Sequence, residues 1–202
     1  MHIDPNGVLR GLSTQTLFSD SDLPVDVLVA TVMPLYRRSF RLGVWQEDLS
    51  VETVIERLKK NFSGNFRGYF LFGPNETCIA ASWYEFIDID KLIGERGQLL
   101  YQFVENQLKQ NDLKTIVWYA GTQVDPDFGG QGIASMLKKL TDINLTKTAS
   151  EVGGVLIATR LRDDNIRIIN INTKLGYQRT GLRMPCTLEP SISHEYWYKI
   201  IK

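Results

Sequence analysis

The spacing of apolar and polar residues divides the chain into helical and β-type segments. Apolar side chains recur at helical spacing in five segments, which predicts helices at 25–40, 51–62, 97–111, 133–150 and 165–175. Runs of β-branched and aromatic residues predict strands at 11–18, 68–73, 78–86, 115–124, 153–159, 177–187 and 193–201. The predicted order is β-α-α-β-β-(α)-β-α-β-α-β-β. This is an α/β chain of the α+β type, without the regular βαβ alternation of a doubly wound sheet.

Local signals refine the prediction for three of the helices and two of the strands. The residues Ser19 to Asp22 are predicted to cap the first helix, and Pro34 is its weak point. Pro74, Asn75 and Glu76 predict a hairpin between the strands on either side. The spacing also predicts two apolar helix faces, one made by Val51, Ile55 and Leu58, the other by Leu99, Phe103, Val104 and Leu108.

Composition limits the class of protein. The 202 residues, of which 43% are hydrophobic and 23% charged, suit a single folded domain covering 1–202. Lys plus Arg and Asp plus Glu number 23 each, which argues against a protein that coats nucleic acid or an anionic membrane. There is no N-terminal signal-like segment and no apolar run long enough to span a bilayer, so we expect a cytoplasmic protein without a membrane partner.

Cysteine and histidine are scarce. Cys78 and Cys186 make neither a disulfide framework nor a CxxC motif. The two histidines, His2 and His194, are too few for a histidine-rich metal site, and we expect no metal. Nucleophilic catalysis of the Ser-His or Cys-His kind would have to use His194.

The segment from Val124 to Ala134 carries the strongest chemical signal. A strand ends, Pro126 turns the chain, three glycines follow within four residues, and a helix begins. Glycines let backbone N–H groups approach a ligand, and a helix start adds free N–H donors and the positive end of its dipole. Taken alone, the segment predicts either a phosphate cradle or a tight turn that binds nothing.

Missing residues narrow the choice of phosphate ligand. There is no GxxxxGK[ST] motif, which excludes a nucleoside triphosphatase loop. The segment from Gly130 to Ser135 is a broken GxGxxG, and the next strand ends in Ala158-Thr159-Arg160 without the acidic residue of a dinucleotide site. A dinucleotide is therefore disfavoured.

A second pattern follows the next strand. Asn165 starts a helix, Asn172 lies seven residues further on the same face, and Gly176-Tyr177 ends the helix. Taken alone, this pattern is explained by an N-cap and a glycine C-cap. In combination with the glycine-rich turn, helix capping alone no longer explains the pattern.

Together the two patterns resemble the signatures of the GNAT superfamily of acyl-CoA-dependent N-acetyltransferases. Val124-Asp125-Pro126 and the run from Gly129 to Ala134 are similar to V-x-P followed by [Q/R]-x-x-G-x-[G/A]. Asn165 to Tyr177 is similar to N-x-x-A-x-x-x-Y-x-x-x-G-F, so that the likeness covers 114–177. The N-terminal pattern Tyr36…Phe40…Trp45-Gln46-Glu47 also looks like such enzymes. The resemblance implies a GNAT fold, with a mixed central sheet flanked by helices.

The resemblance also implies an activity, namely transfer of acetyl from acetyl-CoA to a primary amine of a small molecule or peptide, by direct attack in a ternary complex. Pantetheine would pair with the strand that ends at Val124, whose N–H would stabilise the oxyanion. Backbone amides of 129–134 would hold the pyrophosphate. The implied CoA-binding residues are Thr122, Gln123, Val124, Gly129, Gly130, Gln131, Gly132, Ile133, Ala134, Ser135, Asn165 and Asn172.

Three residues depart from the family pattern. Gly129 stands where the family has Gln or Arg, and Ile168 stands in place of a small Ala. Asn172 replaces the tyrosine that often protonates the CoA thiolate, and an amide can hydrogen-bond sulfur but cannot act as its acid. This loss leaves open an alternative, a non-catalytic module that binds acyl-CoA, and a structural domain with an empty turn is a third possibility.

The residue that deprotonates the amine and the residues that bind the acceptor each have several candidates. Glu85, Glu47 or a water chain could deprotonate the amine, although a solvated surface carboxylate is the first expectation for each glutamate. His194 and Tyr198 are weaker candidates for the base. Aromatic residues that could line an acceptor pocket, or simply belong to the core, are Phe40, Trp45, Trp83, Tyr84, Trp118 and Tyr119.

The segment 87–113 is longer than the simplest family layout requires. We expect its helix to pack its apolar face on its own domain or on a partner copy, which makes the protein a monomer or a homodimer. We expect 87–97 to be a loop near one end of the central strand, where it could narrow the acceptor entrance.

Overall fold

A computed structural model describes residues 13–18, 24–43, 45–73, 76–186 and 191–202. The strands within these ranges are β1 (Ser13–Phe18), β2 (Phe66–Phe72), β3 (Cys78–Phe86), β4 (Thr115–Val124), β5 (Val155–Arg162), β6 (Gln178–Pro185) and β7 (Ser193–Ile201). The helices are α1 (Val25–Leu42), α2 (Val51–Phe62), α3 (Ile89–Arg96), α4 (Gln98–Asn111), α5 (Ile133–Val152) and α6 (Ile166–Lys174), and a short 3-10 turn spans Pro126–Phe128.

The strands form one mixed sheet in the order β1-β2-β3-β4-β5-β7-β6. This confirms the predicted mixed sheet with flanking helices. By its contacts the chain divides into two compact units, which we call the first unit (Met1–Trp83 and Gly121–Thr141) and the second unit (Tyr84–Ala120 and Asp142–Lys202). Strands β3 and β4 and helix α5 each contribute residues to both units.

The first unit contains β1 and β2, which pair antiparallel from Ser13 opposite Phe72 to Phe18 opposite Arg67. One apolar cluster joins β2 and β3 to the start of α5 through Leu71, Ile79, Ala80, Ile133 and Leu137. Because Ile133 and Leu137 lie one turn apart on α5, this cluster fixes where the helix begins.

In the second unit β4 and β5 pair in parallel, from Thr115 opposite Val155 to Tyr119 opposite Thr159. Strand β7 pairs antiparallel with β5 and with β6, and the β6 pairing is irregular between Arg179 and Arg183. Two apolar clusters fill this unit. One packs α5 and α6 against β4, β5 and β7, and the other packs α3 and α4 against β4 and β5.

Several local predictions are confirmed and others are wrong. The helix predicted at 51–62 is confirmed, and Ser50 caps it by accepting the N–H of Thr53. The buried face of α2, however, is Val54, Leu58 and Phe62 rather than the predicted Val51, Ile55 and Leu58. Phe62 decides this, because its ring packs on the aromatic residues Phe66, Phe70 and Trp83.

The segment 87–113 differs from its prediction in two ways. Most of the expected loop 87–97 is helix α3, whose Leu92 is fully buried. On α4 the fully buried residues are Leu100 and Val104, whereas Leu99 is 66% exposed. The helix pair packs on the sheet of its own unit, which confirms the first of the two expected packing modes.

The start of the chain leaves one prediction open. Residues 19–22, expected to cap the first helix, lie outside the described residues. Helix α1 follows Pro24 without a side-chain cap and continues through Pro34, because buried residues on both sides of the proline, among them Val32 and Leu35, hold the helix on the core. Among the described residues no helix combines the length and the apolar character needed to cross a bilayer.

Candidate active site

The last residues of β4 continue beyond its pairing with β5, which ends at Tyr119 opposite Thr159. In the first unit the N–H of Asp125 donates to the carbonyl of Ile79 on β3, at 2.8 Å. Successive N–H groups of a strand point to opposite edges, so the N–H of Val124 points away from β3. It therefore faces the edge along which the sequence predicts pantetheine to bind.

The turn after β4 is closed by its own hydrogen bonds. Phe128 N–H donates to the Asp125 carbonyl at 2.8 Å, and Gly129 N–H donates to the Pro126 carbonyl at 3.0 Å. The N–H of Gly129, predicted as a pyrophosphate donor, is thus already used within the turn. A Cβ on Gly129 would also lie 3.0 Å from the Pro126 oxygen, so this turn suits glycine better than the family's Gln or Arg.

The next residues form an open backbone cradle. Gly130 and Gly132 have φ of +76° and +79°, a region that side chains disfavour. A Cβ on either glycine would have no heavy atom within 4 Å, so the space above both is open. The first hydrogen bond of α5 runs from Met136 N–H to Gly132 O, which leaves the N–H groups of 133–135 without a helical acceptor.

An open left-handed glycine pair followed by free helix donors is the arrangement that binds phosphate. We call Gly130–Ser135 the anion cradle. Both alternatives for this segment stay open, because Gly153, Gly176 and Gly181 have a similar positive φ and the same open space.

Arg38 of α1 holds the turn before the cradle. Its Nε lies 2.9 Å from Asp125 Oδ2, and its Nη2 donates to Asp125 Oδ1 at 3.1 Å and to Asp127 Oδ2 at 2.8 Å. Asp125 Oδ1 also accepts the N–H of Asp127 at 3.0 Å. No local pattern in α1 indicates a role for Arg38, because its partner Asp125 lies 87 residues away in the chain.

The segment between α1 and α2 gathers the predicted acceptor residues Phe40, Trp45 and Glu47. The ring of Phe40 stacks on Tyr36 at 4.5 Å and on Trp45 at 5.3 Å between centroids. The N–H of Glu47 donates to the Phe40 carbonyl at 3.1 Å, which folds the segment back onto the end of α1. Gln46, between Trp45 and Glu47, has φ of +49°, a strained conformation that is concentrated at functional sites.

Glu47 is not the solvated surface carboxylate that was one expectation for it. Its side chain is 13% exposed, and Oε2 lies 3.6 Å from Nη1 of Arg57. Among the described residues Oε2 has no hydrogen-bond partner. Burial raises the pKa of the nearby Tyr36 phenol, with a smaller contribution from Glu47 and an opposing one from Arg57. Tyr36 therefore stays protonated at neutral pH.

The helix α6 of the second unit contains both predicted asparagines. The Asn165 side chain accepts the N–H of Ile168 at 3.4 Å, so that it caps the helix. Asn172 is fully buried, and among the described residues neither atom of its amide has a hydrogen-bond partner. A cap accounts for Asn165 but not for Asn172, because a buried polar group without a partner costs about 1–3 kcal/mol.

The remaining candidates for the base and the acceptor site lie in the second unit, where they contact other residues of the protein. Glu85 is buried, which contradicts the surface alternative, and its Oε2 accepts from Lys91 at 3.0 Å. Tyr84 and Tyr119 belong to an apolar cluster, and Tyr84 donates its hydroxyl to Asn144 at 2.9 Å. An acceptor role for either tyrosine rests on the sequence resemblance alone.

The two weakest candidates are also in this unit. Burial, with Arg160 and Arg162, lowers the pKa of His194 to about 4. Tyr198 donates its hydroxyl to Gln178 at 2.8 Å.

Comparison with known proteins gives a clear result for the fold. No protein-family model and no curated sequence matches the chain. Solved structures do match. Arabidopsis thaliana NAA60 in complex with a bisubstrate analogue is 10% identical with a TM-score of 0.61, over 95% of this chain and 98% of that one.

Two bacterial structures are similar to the same extent. The ribosomal-protein-S18-alanine N-acetyltransferase from Escherichia coli is 14% identical, with a TM-score of 0.58 over 94% of this chain and 95% of that one. A GNAT superfamily phosphinothricin acetyltransferase from Sinorhizobium meliloti, in complex with AcCoA, is 13% identical, with a TM-score of 0.59 over 95% and 89%. This chain therefore has the GNAT fold of these N-acetyltransferases.

Proposed function

We propose that the protein is an N-acetyltransferase that moves acetyl from acetyl-CoA to a primary amine of a small molecule or a protein. The observation that carries the proposal is the anion cradle, with its open space over Gly130 and Gly132 at the start of α5. On a GNAT fold, that cradle has the chemistry needed for the CoA pyrophosphate.

Backbone groups of the first unit would hold the donor. The N–H groups of Gly130 to Ser135 would donate to the pyrophosphate, and Thr122 to Val124 would pair with pantetheine as an added strand. The Val124 N–H, which points away from β3, would donate to the thioester oxygen as negative charge develops there.

The acceptor must lose a proton before it can attack. An alkyl amine with a pKa near 10 is neutral in only about one molecule in 10³ at pH 7. Of the two glutamates, Glu85 has its Oε2 hydrogen-bonded to Lys91, whereas Oε2 of Glu47 has no hydrogen-bond partner among the described residues and lies 3.6 Å from Arg57 Nη1. We therefore assign to Glu47 the role of receiving the ammonium and its proton, directly or through water.

The bond changes then balance. The amine nitrogen forms a bond to the thioester carbonyl carbon and gives up a second proton to solvent, the carbon–sulfur bond breaks, and CoA leaves as the thiolate, which takes its proton from solvent. Asn172 has donor hydrogens for sulfur but no acidic proton, so its role is limited to hydrogen bonding. Loss of the family's tyrosine then slows the departure of the thiolate without preventing it.

The aromatic residues beside Glu47 suggest what the acceptor looks like. Trp45 is half-buried and stacks on the buried ring of Phe40, so it offers apolar and π surface two residues from the Glu47 carboxylate. Such a surface favours an ammonium attached to an apolar or planar group. Because the similar structures include an enzyme named for a protein alanine and one named for phosphinothricin, both protein N-termini and small amines belong among the acceptors tested.

Two measurements test the proposal. Calorimetric titration with acetyl-CoA should give saturable binding, whereas a chain with an empty turn would give none. Release of free thiol from acetyl-CoA should rise above the hydrolytic background with at least one amine of a panel of peptides, amino acids, polyamines and aminoglycosides. Binding without amine-dependent thiol release would support the non-catalytic module instead.

A further inference from the structure

We propose that Arg38 is a positioning residue that shapes the anion cradle through Asp125. The proposal rests on the proposed function, since it concerns how the same site holds CoA. It begins from the three contacts that one guanidinium makes with Asp125 and Asp127.

The geometry of the ion pair is the first argument. Nη2 of Arg38 donates to Asp125 Oδ1 at 3.1 Å, and Nε lies 2.9 Å from Asp125 Oδ2 as an ion-pair contact without a hydrogen bond, so one guanidinium contacts both carboxylate oxygens. The Asp125 side chain is 14% exposed and the Arg38 side chain is 39% exposed, so the carboxylate of this pair is shielded from solvent and the guanidinium is not.

The position of Asp125 is the second argument. Its carboxylate accepts the Asp127 N–H and caps the 3-10 turn, while its own N–H is bonded to β3. The cradle begins two residues after this turn, and its donors belong to the backbone. Their direction is therefore set by where the turn ends. Arg38 orients Asp125, Asp125 orients the turn, and the turn sets the first donors of the cradle.

Charge is the third argument. Asp125 and Asp127 place two negative charges immediately before a segment proposed to bind a pyrophosphate. Arg38 offsets one of them, so its removal would add repulsion to the loss of geometry. The Asp127 side chain is 75% exposed, and its share of the repulsion is screened by salt.

The experiment compares CoA with pantetheine, which has the same thiol arm and lacks the phosphates. In Arg38→Gln we expect the dissociation constant for CoA to rise about tenfold and that for pantetheine to change less than twofold. Arg37→Gln is the matched control, because the neighbouring arginine contacts Asp48 and the Leu49 carbonyl instead, and it should leave both constants unchanged. Equal weakening of both ligands, or of neither, overturns the proposal.

A double-mutant cycle with Asp125→Asn uses CoA affinities alone and decides the question even where pantetheine binds too weakly to titrate. If Arg38 acts through Asp125, the double variant should bind CoA no more weakly than the single variant with the lower affinity. Losses that multiply would show that Arg38 acts independently of Asp125 and would overturn the proposal.

Failure of the proposed function has a separate signature. If the wild-type protein binds CoA yet acetylates no amine, the proposed acetyltransferase activity is contradicted, but the comparison of CoA and pantetheine affinities still tests the role of Arg38. Melting temperatures of all the variants identify any that are not folded. The conservative Arg38→Lys, which keeps the charge but has only one nitrogen to contact Asp125, then replaces Arg38→Gln. We expect Arg38→Lys to bind CoA more tightly than Arg38→Gln and more weakly than wild type, and wild-type affinity in Arg38→Lys would contradict a role for the second guanidinium contact.

Discussion

The substitution Gly132→Asp tests the anion cradle most directly. Gly132 has φ of +79°, and a Cβ there would meet no heavy atom within 4 Å. The substitution therefore lowers the stability of the folded protein only by the cost of a side chain on left-handed backbone, about 1–2 kcal/mol. The ligand meets both the new atoms and a new negative charge where the pyrophosphate is proposed to bind.

The magnitude follows from these two contributions. Two unit charges 4 Å apart repel by about 1 kcal/mol in water and about 4 kcal/mol at a surface-like dielectric constant of 20. The lower figure, together with one weakened hydrogen bond to a charged group, exceeds the 1.4 kcal/mol that corresponds to tenfold. We therefore expect the dissociation constant for acetyl-CoA to rise at least tenfold, as measured by isothermal titration calorimetry.

The same helix provides a matched control. Gly153 follows the last residue of α5, has φ of +80°, and has the same open space around a Cβ. Gly153→Asp should lower the free energy of unfolding by a similar amount and leave the affinity for acetyl-CoA unchanged. Unchanged affinity in a folded Gly132→Asp variant, or equal loss in Gly153→Asp, would refute the assignment of the cradle.

Four further predictions test other parts of the structure. Asn172→Ala should lower kcat by about tenfold or less, since removal of a true general acid costs about 10²–10⁴, and it should not lower the melting temperature, because no hydrogen bond is lost. Glu47→Gln should lower kcat by about 10² or more with unchanged affinity for acetyl-CoA. Leu92→Ala should cost about 2–5 kcal/mol of unfolding free energy, while Leu99→Ala should stay within about 0.5 kcal/mol. His194, with its pKa lowered to about 4, binds fewer protons folded than unfolded, so stability should fall by about 2 kcal/mol from pH 7 to pH 5, and His194→Gln should remove this loss.

Each of these expectations has a contrary result. A thousandfold loss of kcat in Asn172→Ala with CoA binding intact would show that the amide does more than orient the thiol. Asp48→Asn is the control for Glu47→Gln, since its exposed carboxylate pairs with Arg37, and a loss as large there would remove the case for Glu47. Equal costs at positions 92 and 99, or urea unfolding with the same pH dependence in His194→Gln and wild type, would contradict the other two.

Elements with strong local signals were predicted well. Strand β4 has the bounds expected from its β-branched and aromatic residues, and α2 has the bounds predicted for the second helix. These features depend on side chains acting on their own or adjacent backbone, so a short window of sequence contains the cause. Helix α3, with eight residues and weak periodicity, lacks such a signal and was mistaken for a loop.

The sequence by itself determined the order of elements, the glycine-rich turn and the likeness to the GNAT pattern, because each depends on residues close together in the chain. Only the tertiary structure decided which stripe of α2 and α4 is buried, since helical spacing allows neighbouring stripes and the packing partner selects one. The same is true of charge. Arg38 contacts Asp125 across 87 residues of sequence, Lys91 donates to Glu85, and Glu47 pairs with Arg57. Ion pairing and burial depend on what folding brings within a few ångströms, and no local pattern encodes that distance.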